Sequence, residues 1–266
     1  MLLTRKTTLR QRELAMRAVN LPQMAAVTDW MEFETGVMGL PDPQTGFLLN
    51  IVTIDEAVRA LVPPIFAEAK HAGSGFFETL RSAAHAVDAS LSSDIRVHLA
   101  YFTCDIHPNL RVTCACNPSP SSKNQASAMP PLNFEITASY EFAASHRLHC
   151  ATRTEEENRR IFGKCNNPNG HGHNYRIEVH CAVTREDETA FAALDAAVEN
   201  EIMRRFDHRH LNLDCPEFAN LNPTVENIAM VCFNYLEKAL AHAGLTARSV
   251  RVYETPRTSA IYPSGA

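Results

Sequence analysis

The sequence predicts an α+β fold of two similar units, each with the element order strand, strand, helix, helix, strand, strand. The chain has 266 residues, more than one modest domain usually holds. Residues 117–131 are rich in Pro and Ser and lack a run of core-forming residues, as expected of a linker. The same order of periodicities on both sides indicates an internal duplication. We therefore predict units at 1–116 and 132–266.

Four strands are predicted in the second unit. Apolar residues at every second position from Phe134 to Phe142 indicate a strand with one buried face. A second strand is expected at His171–Val183. Ser249–Glu254 alternates again, and Ser259–Tyr262 is predicted to close a hairpin with it.

Two helices are predicted between these strand pairs. The first carries an apolar stripe at spacings of three and four, formed by Phe191, Leu194, Val198, Ile202 and Phe206. The second runs from about Val225 to His242. Thr224 is its expected N-cap, and Gly244 is suited to the left-handed backbone that ends a helix.

The first unit repeats this order less clearly. Its predicted strands are Trp30–Val37, Ile95–Thr103 and Leu110–Cys116. A DPQTG turn and the apolar run Phe47–Val52 lead to a helix, whose start Thr53 and Glu56 mark as a capping box. A further helix is predicted at Gly75–Leu91. Met1–Gln23 match no predicted element.

Charge and composition exclude several classes of protein. The formal net charge of -5 and the pI near 6.2 provide no positive surface for nucleic acid. No stretch reaches the roughly 20 apolar residues that span a membrane, and the opening residues are charged too early for a secretory signal. The eight cysteines contain no Cys-x-x-Cys pair. A cytoplasmic protein with reduced thiols is therefore expected.

The segment FGKCNNPNGHGHNYRIEV carries two histidines, His171 and His173, that share one face of a predicted strand. A catalytic zinc site has three protein ligands and an open position. His146, near the end of the preceding strand, is the preferred third ligand, and His149 is the alternative that the strand phase disfavours. A polar strand face would explain an isolated His-x-His pair, but the turn-forming loop before this pair favours a metal site.

Cys165 precedes the histidine pair and allows two interpretations. It is either a fourth zinc ligand or a base beside the metal, and its spacing does not decide between them. A base of this kind needs a pKa below the usual value near 8.5, which Lys164 and a neighbouring zinc ion would favour.

The segment FDHRHLNL places Asp207 directly before His208 at the end of a predicted helix. Such a pair can tune a proton shuttle. An equally weighted alternative is that His208 or His210 interacts with the negative end of the helix dipole.

Glu254 ends the strand VRVYET on the same face as Val250 and Val252, where a carboxylate needs a partner. A pterin or guanine ring offers two adjacent N–H donors that one carboxylate can accept. An ion pair with Arg251 or Arg257 is equally compatible with the sequence.

Over Phe134–Tyr262 these motifs resemble the family of 6-pyruvoyl-tetrahydropterin synthase and the related 6-carboxytetrahydropterin synthase of the queuosine pathway. The resemblance implies the T-fold, an antiparallel sheet with two helices on one face, assembled as a homo-oligomer with active sites between units. It also assigns roles to the motif residues. Zinc (Zn2+) would be held by His146, His171 and His173; Cys165 would be the base; Asp207 and His208 would transfer protons; Thr224, Glu226 and Glu254 would bind substrate.

The implied substrate is the small molecule 7,8-dihydroneopterin triphosphate, and elimination of triphosphate leads to a 6-pyruvoyl or a 6-carboxy product. Five residues separate Cys165 from His171, a spacing similar to that of the 6-pyruvoyl enzymes. The first unit has no such histidine motif, and Phe102 stands where Glu254 would match. We expect a degenerate scaffold unit there. A zinc- and pterin-binding pseudoenzyme is the alternative for the chain.

Overall fold

The chain folds as two units. The computed structural model describes residues 1–10, 30–92, 97–116, 132–241 and 243–263. The first unit contains Met1–Ile136 and Val183–Glu188, and the second contains Thr137–Ala182 and Thr189–Ala266. Both combine helices with antiparallel strands, which confirms the α+β class. The predicted linker lies outside the described residues.

The first unit has the predicted order of elements. They are β1 (Leu2–Arg10), β2 (Trp30–Gly39), α1 (Ile51–Ala72), α2 (Phe76–Leu91), β3 (Val97–His107) and β4 (Leu110–Cys116). The strands pair antiparallel in the order β1-β2-β3-β4. Strand β1 was not predicted, because Thr7 and Leu9 are its buried residues and most of its other positions are polar. A period-two apolar signal is weak in such a strand.

The predicted capping box at the start of α1 is wrong. The side chain of Asn50 accepts a hydrogen bond from the Val52 backbone N–H at 3.0 Å, so the helix begins at Ile51. Asn is as strong an N-cap as Ser or Thr, and here it starts the helix before Thr53 and Glu56 are reached. The DPQTG turn before it is present.

An aromatic group forms part of the core of the first unit. Phe33 stacks on Phe102 with ring centroids 5.5 Å apart and meets the edge of Phe66 at 6.0 Å. All three side chains are fully buried. Phe102, which occupies the position expected to match Glu254, therefore contributes to packing, as an apolar ring there should.

The remaining elements lie mostly in the second unit. They are β5 (Leu132–His146), α3 (Glu155–Phe162), a 3-10 turn (Gly163–Asn166), β6 (His171–Val183), α4 (Thr189–Val198), a π-helical turn (Glu199–Met203), α5 (Arg204–Phe206), β7 (Arg209–His210), α6 (Leu211–Asp214), a 3-10 turn (Pro216–Phe218), α7 (Val225–Leu240), β8 (Leu245–Thr255) and β9 (Thr258–Tyr262). Strand β5 up to Ile136 and the last residue of β6, Val183, are assigned to the first unit. The sheet order is β5-β6-β8-β9, with β7 parallel to the end of β5. The four predicted strands are confirmed.

The five members of the predicted apolar stripe in the second unit are all buried, and one of them, Phe206, lies 6.4 Å from Phe142 of β5 between ring centroids. A π-helical turn interrupts that stripe between α4 and α5. Thr224 caps α7 by accepting a hydrogen bond from the Asn227 backbone N–H at 3.4 Å, as predicted. Gly244 adopts a left-handed φ of 72°, also as predicted.

Helix α3 was not predicted, although its sequence carries a capping box. Thr154 accepts a hydrogen bond from the Glu157 backbone N–H at 3.2 Å, and Glu157 accepts one from the Thr154 backbone N–H at 2.9 Å. The helix is strongly polar and has one buried residue, Asn158. Its apolar periodicity is therefore too weak to indicate a helix.

Within the described residues, no helix combines the length and the apolar character that crossing a membrane requires.

Candidate functional site

Three imidazoles and one carboxylate converge in the second unit. The ligand atoms of His146, His171, His173 and Glu254 all lie within 4.8 Å of one another. The Nε2 atoms of His146 and His171 are 3.1 Å apart. Glu254 Oε1 lies 3.4 Å from His146 Nε2 and 3.5 Å from His173 Nε2. We call these four residues the imidazole cluster.

The strands account for this convergence. His171 and His173 are alternate residues at the start of β6, so their side chains project from the same face of the sheet. His146 is the last residue of β5 and is fully buried. Glu254 lies near the end of β8, which neighbours β6. His149, the alternative to His146, is not a member of the cluster.

A hydrogen bond fixes the orientation of His146. Its Nδ1 lies 2.7 Å from the backbone carbonyl oxygen of Pro223. A carbonyl oxygen only accepts, so Nδ1 carries the proton and Nε2 presents its lone pair to the cluster. The Tyr175 hydroxyl lies 3.4 Å from the same Nδ1 atom, and its buried ring stacks on Phe142 at 5.1 Å. Sequence reasoning identified neither Tyr175 nor the Pro223 carbonyl.

Burial favours the neutral form of two imidazoles of the cluster. The pKa of His146 is lowered to about 4, mainly by burial and also by the neighbouring imidazoles, while the Pro223 carbonyl opposes the shift. Burial and His173 also lower the pKa of His171. Lowering the pKa of an imidazole favours its uncharged form near neutral pH, which is the form that binds a metal.

The cluster fits a divalent cation. His173 Nε2, which faces Glu254 Oε1 in the cluster, is a buried polar atom without a hydrogen-bond partner among the described residues. Such atoms are uncommon in folded proteins and call for a partner. Neutral imidazole nitrogens with one carboxylate oxygen are ligands that zinc accepts. The residues therefore fit the zinc ion that the resemblance implies.

Cys165 lies in the 3-10 turn before β6, and its backbone carbonyl accepts a hydrogen bond from Leu148 N–H at 2.9 Å. It does not belong to the imidazole cluster, where Glu254 joins the histidines instead. Burial and the charge of Glu254 raise the pKa of the Cys165 thiol, and Lys164 does not offset them. A cation held by the cluster would act in the opposite direction.

Asp207 and His208 form a contacting pair, as their adjacency suggested. Asp207 Oδ1 accepts a hydrogen bond from Ala143 N–H at 2.8 Å, and Oδ2 lies 2.9 Å from His208 Nδ1. Burial raises the pKa of Asp207, but the hydrogen bonds from Ala143 and His208 outweigh it, and the net pKa is lowered. His208 adopts a φ of 57°, and its side chain is 82% exposed. The pair lies outside the imidazole cluster.

The other predicted substrate-binding residues occupy different surroundings. Glu254 faces two imidazoles and not Arg251, whose guanidinium lies 3.9 Å from Glu178. Thr224 caps α7, and Glu226 is exposed in the first turn of that helix. The structure does not bring Thr224 or Glu226 into the imidazole cluster.

A known protein family matches most of this unit. The family model described as 6-pyruvoyl tetrahydropterin synthase matches residues 135–264. The chain is 39% identical over 132 residues to human 6-pyruvoyl tetrahydrobiopterin synthase, which covers 48% of this chain and 90% of the human protein. The chain belongs to the 6-pyruvoyl tetrahydropterin synthase family.

Two further relatives each match about half of the chain. The 6-pyruvoyl tetrahydrobiopterin synthase of Drosophila melanogaster is 36% identical, over 48% of this chain and 77% of the fly protein. A solved structure of the Caenorhabditis elegans 6-pyruvoyl tetrahydropterin synthase is 32% identical, with a TM-score of 0.44, over 48% of this chain and 93% of that one. Most of the residues that the family model matches belong to the second unit.

Four asparagine side chains of this family region hold the segment that follows His146. Asn212 bonds the backbone N–H and carbonyl of Arg147 at 2.8 and 3.0 Å. The other three, with their backbone partners, are Asn166 with Leu148 O, Asn222 with His149 N, and Asn158 with Cys150 N and O. The buried members, Asn158 and Asn166, were not predicted, because an Asn in a loop is a common residue with no periodic signal.

Gly170 allows the cluster to close, and we expect Gly170→Ala to weaken metal binding. Gly170 has a φ of 72°, and a Cβ there would meet His210 Nε2 at 2.8 Å and the His146 carbonyl at 3.0 Å. The left-handed backbone should cost about 1 kcal/mol of folding stability. The clash should also displace His146, so zinc affinity, measured by competition with a chelator, should fall at least tenfold.

Gly46→Ala is the matched control for this change. Gly46 has a φ of 74°, and a Cβ there would meet nothing within 4 Å. Its thermal stability should fall by a similar backbone cost while zinc affinity stays unchanged. Equal zinc affinity in the two variants would contradict a packing role for Gly170.

Proposed function

We propose that the second unit is a zinc-dependent lyase that converts 7,8-dihydroneopterin triphosphate to 6-pyruvoyl-tetrahydropterin with elimination of triphosphate. The convergence of His146, His171, His173 and Glu254 within 4.8 Å carries this proposal. The chain belongs to a family whose relatives are named for this synthase, which supports the lyase role. No external oxidant is needed, because the side chain is oxidised as the pterin ring is reduced.

In this proposal His146, His171 and His173 would hold zinc, and Glu254 lies beside His146 and His173. Zinc bound there supplies Lewis-acid polarisation of the hydroxyl oxygens of the substrate side chain. The Pro223 carbonyl keeps His146 Nδ1 protonated, so that its Nε2 remains a ligand. The low pKa of His146 keeps that ligand available near neutral pH.

Cys165 is the proposed base that removes a proton from the substrate side chain. It lies in the turn just before β6, close enough to Glu254 for that charge to raise its pKa. Its bond from Leu148 N–H ties this turn to the segment after His146. The thiolate is the active form, so its pKa has to fall when the cluster holds a cation.

Asp207 and His208 are the proposed partners in proton transfer. The Asp207 carboxylate accepts from His208 Nδ1, which leaves the other ring nitrogen free to exchange a proton. The Ala143 N–H holds Asp207 in this orientation. This arrangement resembles the way a carboxylate orients a catalytic imidazole in other enzymes.

The pterin ring is the proposed ligand of Glu254, Glu226 and Thr224. A carboxylate accepts two adjacent N–H donors of such a ring in bidentate fashion. Glu226 is exposed at the start of α7, and the Thr224 hydroxyl caps the same helix.

The location and assembly of the protein are part of the same proposal. We expect a cytoplasmic homo-oligomer, in which the first unit serves as a scaffold.

The spacing between Cys165 and His171 supports the 6-pyruvoyl product, in agreement with the names of the relatives. Incubating the zinc-loaded chain with 7,8-dihydroneopterin triphosphate should release triphosphate, seen by phosphorus NMR. Mass spectrometry should identify 6-pyruvoyl-tetrahydropterin. A 6-carboxy product would assign the queuosine-type activity instead. A folded, zinc-loaded protein that consumes no substrate would contradict the proposal and support the pseudoenzyme.

A further inference from the structure

A pocket of about 370 Å³ lies beside the imidazole cluster within the second unit. Its polar lining is formed by Ser145, His173, Asn174, His208, Arg209 and His210. His173 belongs to both the pocket and the cluster. None of the described residues that line the pocket is acidic, so the pocket suits an anion better than a cation.

Two side chains of the pocket have nitrogen atoms that could serve a ligand. His210 Nδ1 is buried and has no hydrogen-bond partner among the described residues; it donates in the tautomer that carries its proton there. The exposed Arg209 guanidinium makes no ion pair within the described part of the chain, whereas the neighbouring Arg204 lies 3.5 Å from Glu199. A buried imidazole nitrogen without a partner, together with a guanidinium without an ion pair beside a concave surface, favours a bound acceptor.

The backbone holds these donors in place. Strand β7 pairs in parallel with the end of β5, joining Arg209 to Ala144 and His210 to Ser145. The His210 backbone N–H also donates to Asp214 Oδ2 at 2.7 Å. The Asp207 carboxylate beside the pocket is occupied by Ala143 and His208. Donors fixed in this way lose little entropy when they bind a ligand.

We propose that this pocket binds the polyphosphate group of the substrate, with Arg209 and His210 as its principal donors. The planar guanidinium matches the geometry of phosphate oxygens, and imidazole N–H and hydroxyl groups complete such sites. The position next to His173 places the leaving group beside the imidazole cluster. This inference rests on the proposed function, which supplies the triphosphate.

Calorimetry with inorganic triphosphate tests the pocket on the zinc-loaded chain, with excess Mg²⁺ so that the probe does not extract zinc. Arg209→Ala should weaken triphosphate binding by about tenfold or more, since a charge-assisted hydrogen bond is lost. His210→Gln should also weaken it. Arg204→Ala is the matched control and should bind like the wild type.

Wild-type affinity in both pocket variants, or no binding by the wild type, would overturn the proposal. The affinity for 7,8-dihydroneopterin, which lacks phosphate, should be unchanged in Arg209→Ala. If that affinity falls as much as the affinity for triphosphate, the variant is disrupted generally, and the pocket proposal is overturned. If triphosphate binding depends on Arg209 but the substrate is not consumed, the pocket assignment stands and the proposed function fails.

Discussion

Replacing His171 with alanine is expected to remove zinc from the protein and to abolish turnover. His171 Nε2 lies 3.1 Å from His146 Nε2, so the change removes one of the three imidazoles at the centre of the cluster. Losing an outer-shell partner of a metal ligand typically costs 10- to 100-fold in affinity, and losing the ligand itself should cost more than about 100-fold. Turnover should fall by about three orders of magnitude with the lost Lewis acid.

Elemental analysis of the purified variant gives the zinc content, and steady-state kinetics give the turnover. His98→Ala is the matched control, because His98 is an exposed histidine on β3 in the first unit. That variant should keep the metal and the activity. The assignment of the ligands would be contradicted if His171→Ala kept full zinc occupancy and had the same zinc content and turnover as His98→Ala.

Replacing Cys165 with serine is expected to keep zinc and to lose turnover. A hydroxyl is a far weaker acid than a thiol, so serine would remain protonated where the thiol becomes a thiolate. General bases typically contribute a factor of about 100 to 10,000. The value of kcat should therefore fall by that factor. Zinc content should stay the same, since the thiol lies outside the imidazole cluster.

Cys150→Ser is the matched control for this variant. Cys150 is another partly exposed cysteine of the second unit, and its Sγ lies 3.2 Å from the Thr152 hydroxyl. Its replacement should leave kcat and zinc content unchanged. Loss of zinc from Cys165→Ser would support the other interpretation of the sequence, in which Cys165 is a metal ligand.

Strong periodicity made much of the second unit predictable. The strand His171–Val183 has the predicted bounds, and Thr224 caps its helix as expected. A period of two in a strand also fixes which residues share a face, which is why His171 and His173 could be paired. The alternation of β5 continues to its last residue, and the structure brings His146, rather than His149, beside His171 and His173.

The features that sequence reasoning missed depend on contacts distant in the chain or on weak patterns. Strand β1 is mostly polar, and α3 has one buried residue, so neither has an apolar signal. The Pro223 carbonyl and the Tyr175 hydroxyl approach His146 from other elements of the fold. A backbone oxygen has no residue-specific signature that could identify it in advance.

The surroundings of Glu254 show the same limit. Its place on an apolar strand face indicated that it needed a partner, but the sequence allowed an arginine or a ring ligand equally well. The structure places the carboxylate beside His146 and His173. Adjacent strands bring these residues together, and a strand order is a property of the whole sheet.

X-ray absorption spectroscopy at the zinc edge of the purified, zinc-loaded chain measures the metal's ligands directly. A single zinc site per chain is predicted, with three imidazole nitrogens at about 2.0 to 2.1 Å and oxygen donors completing the shell. Absence of imidazole scattering, or a shell that contains sulfur at about 2.3 Å, would contradict a site built from His146, His171 and His173 with Cys165 left free as the base.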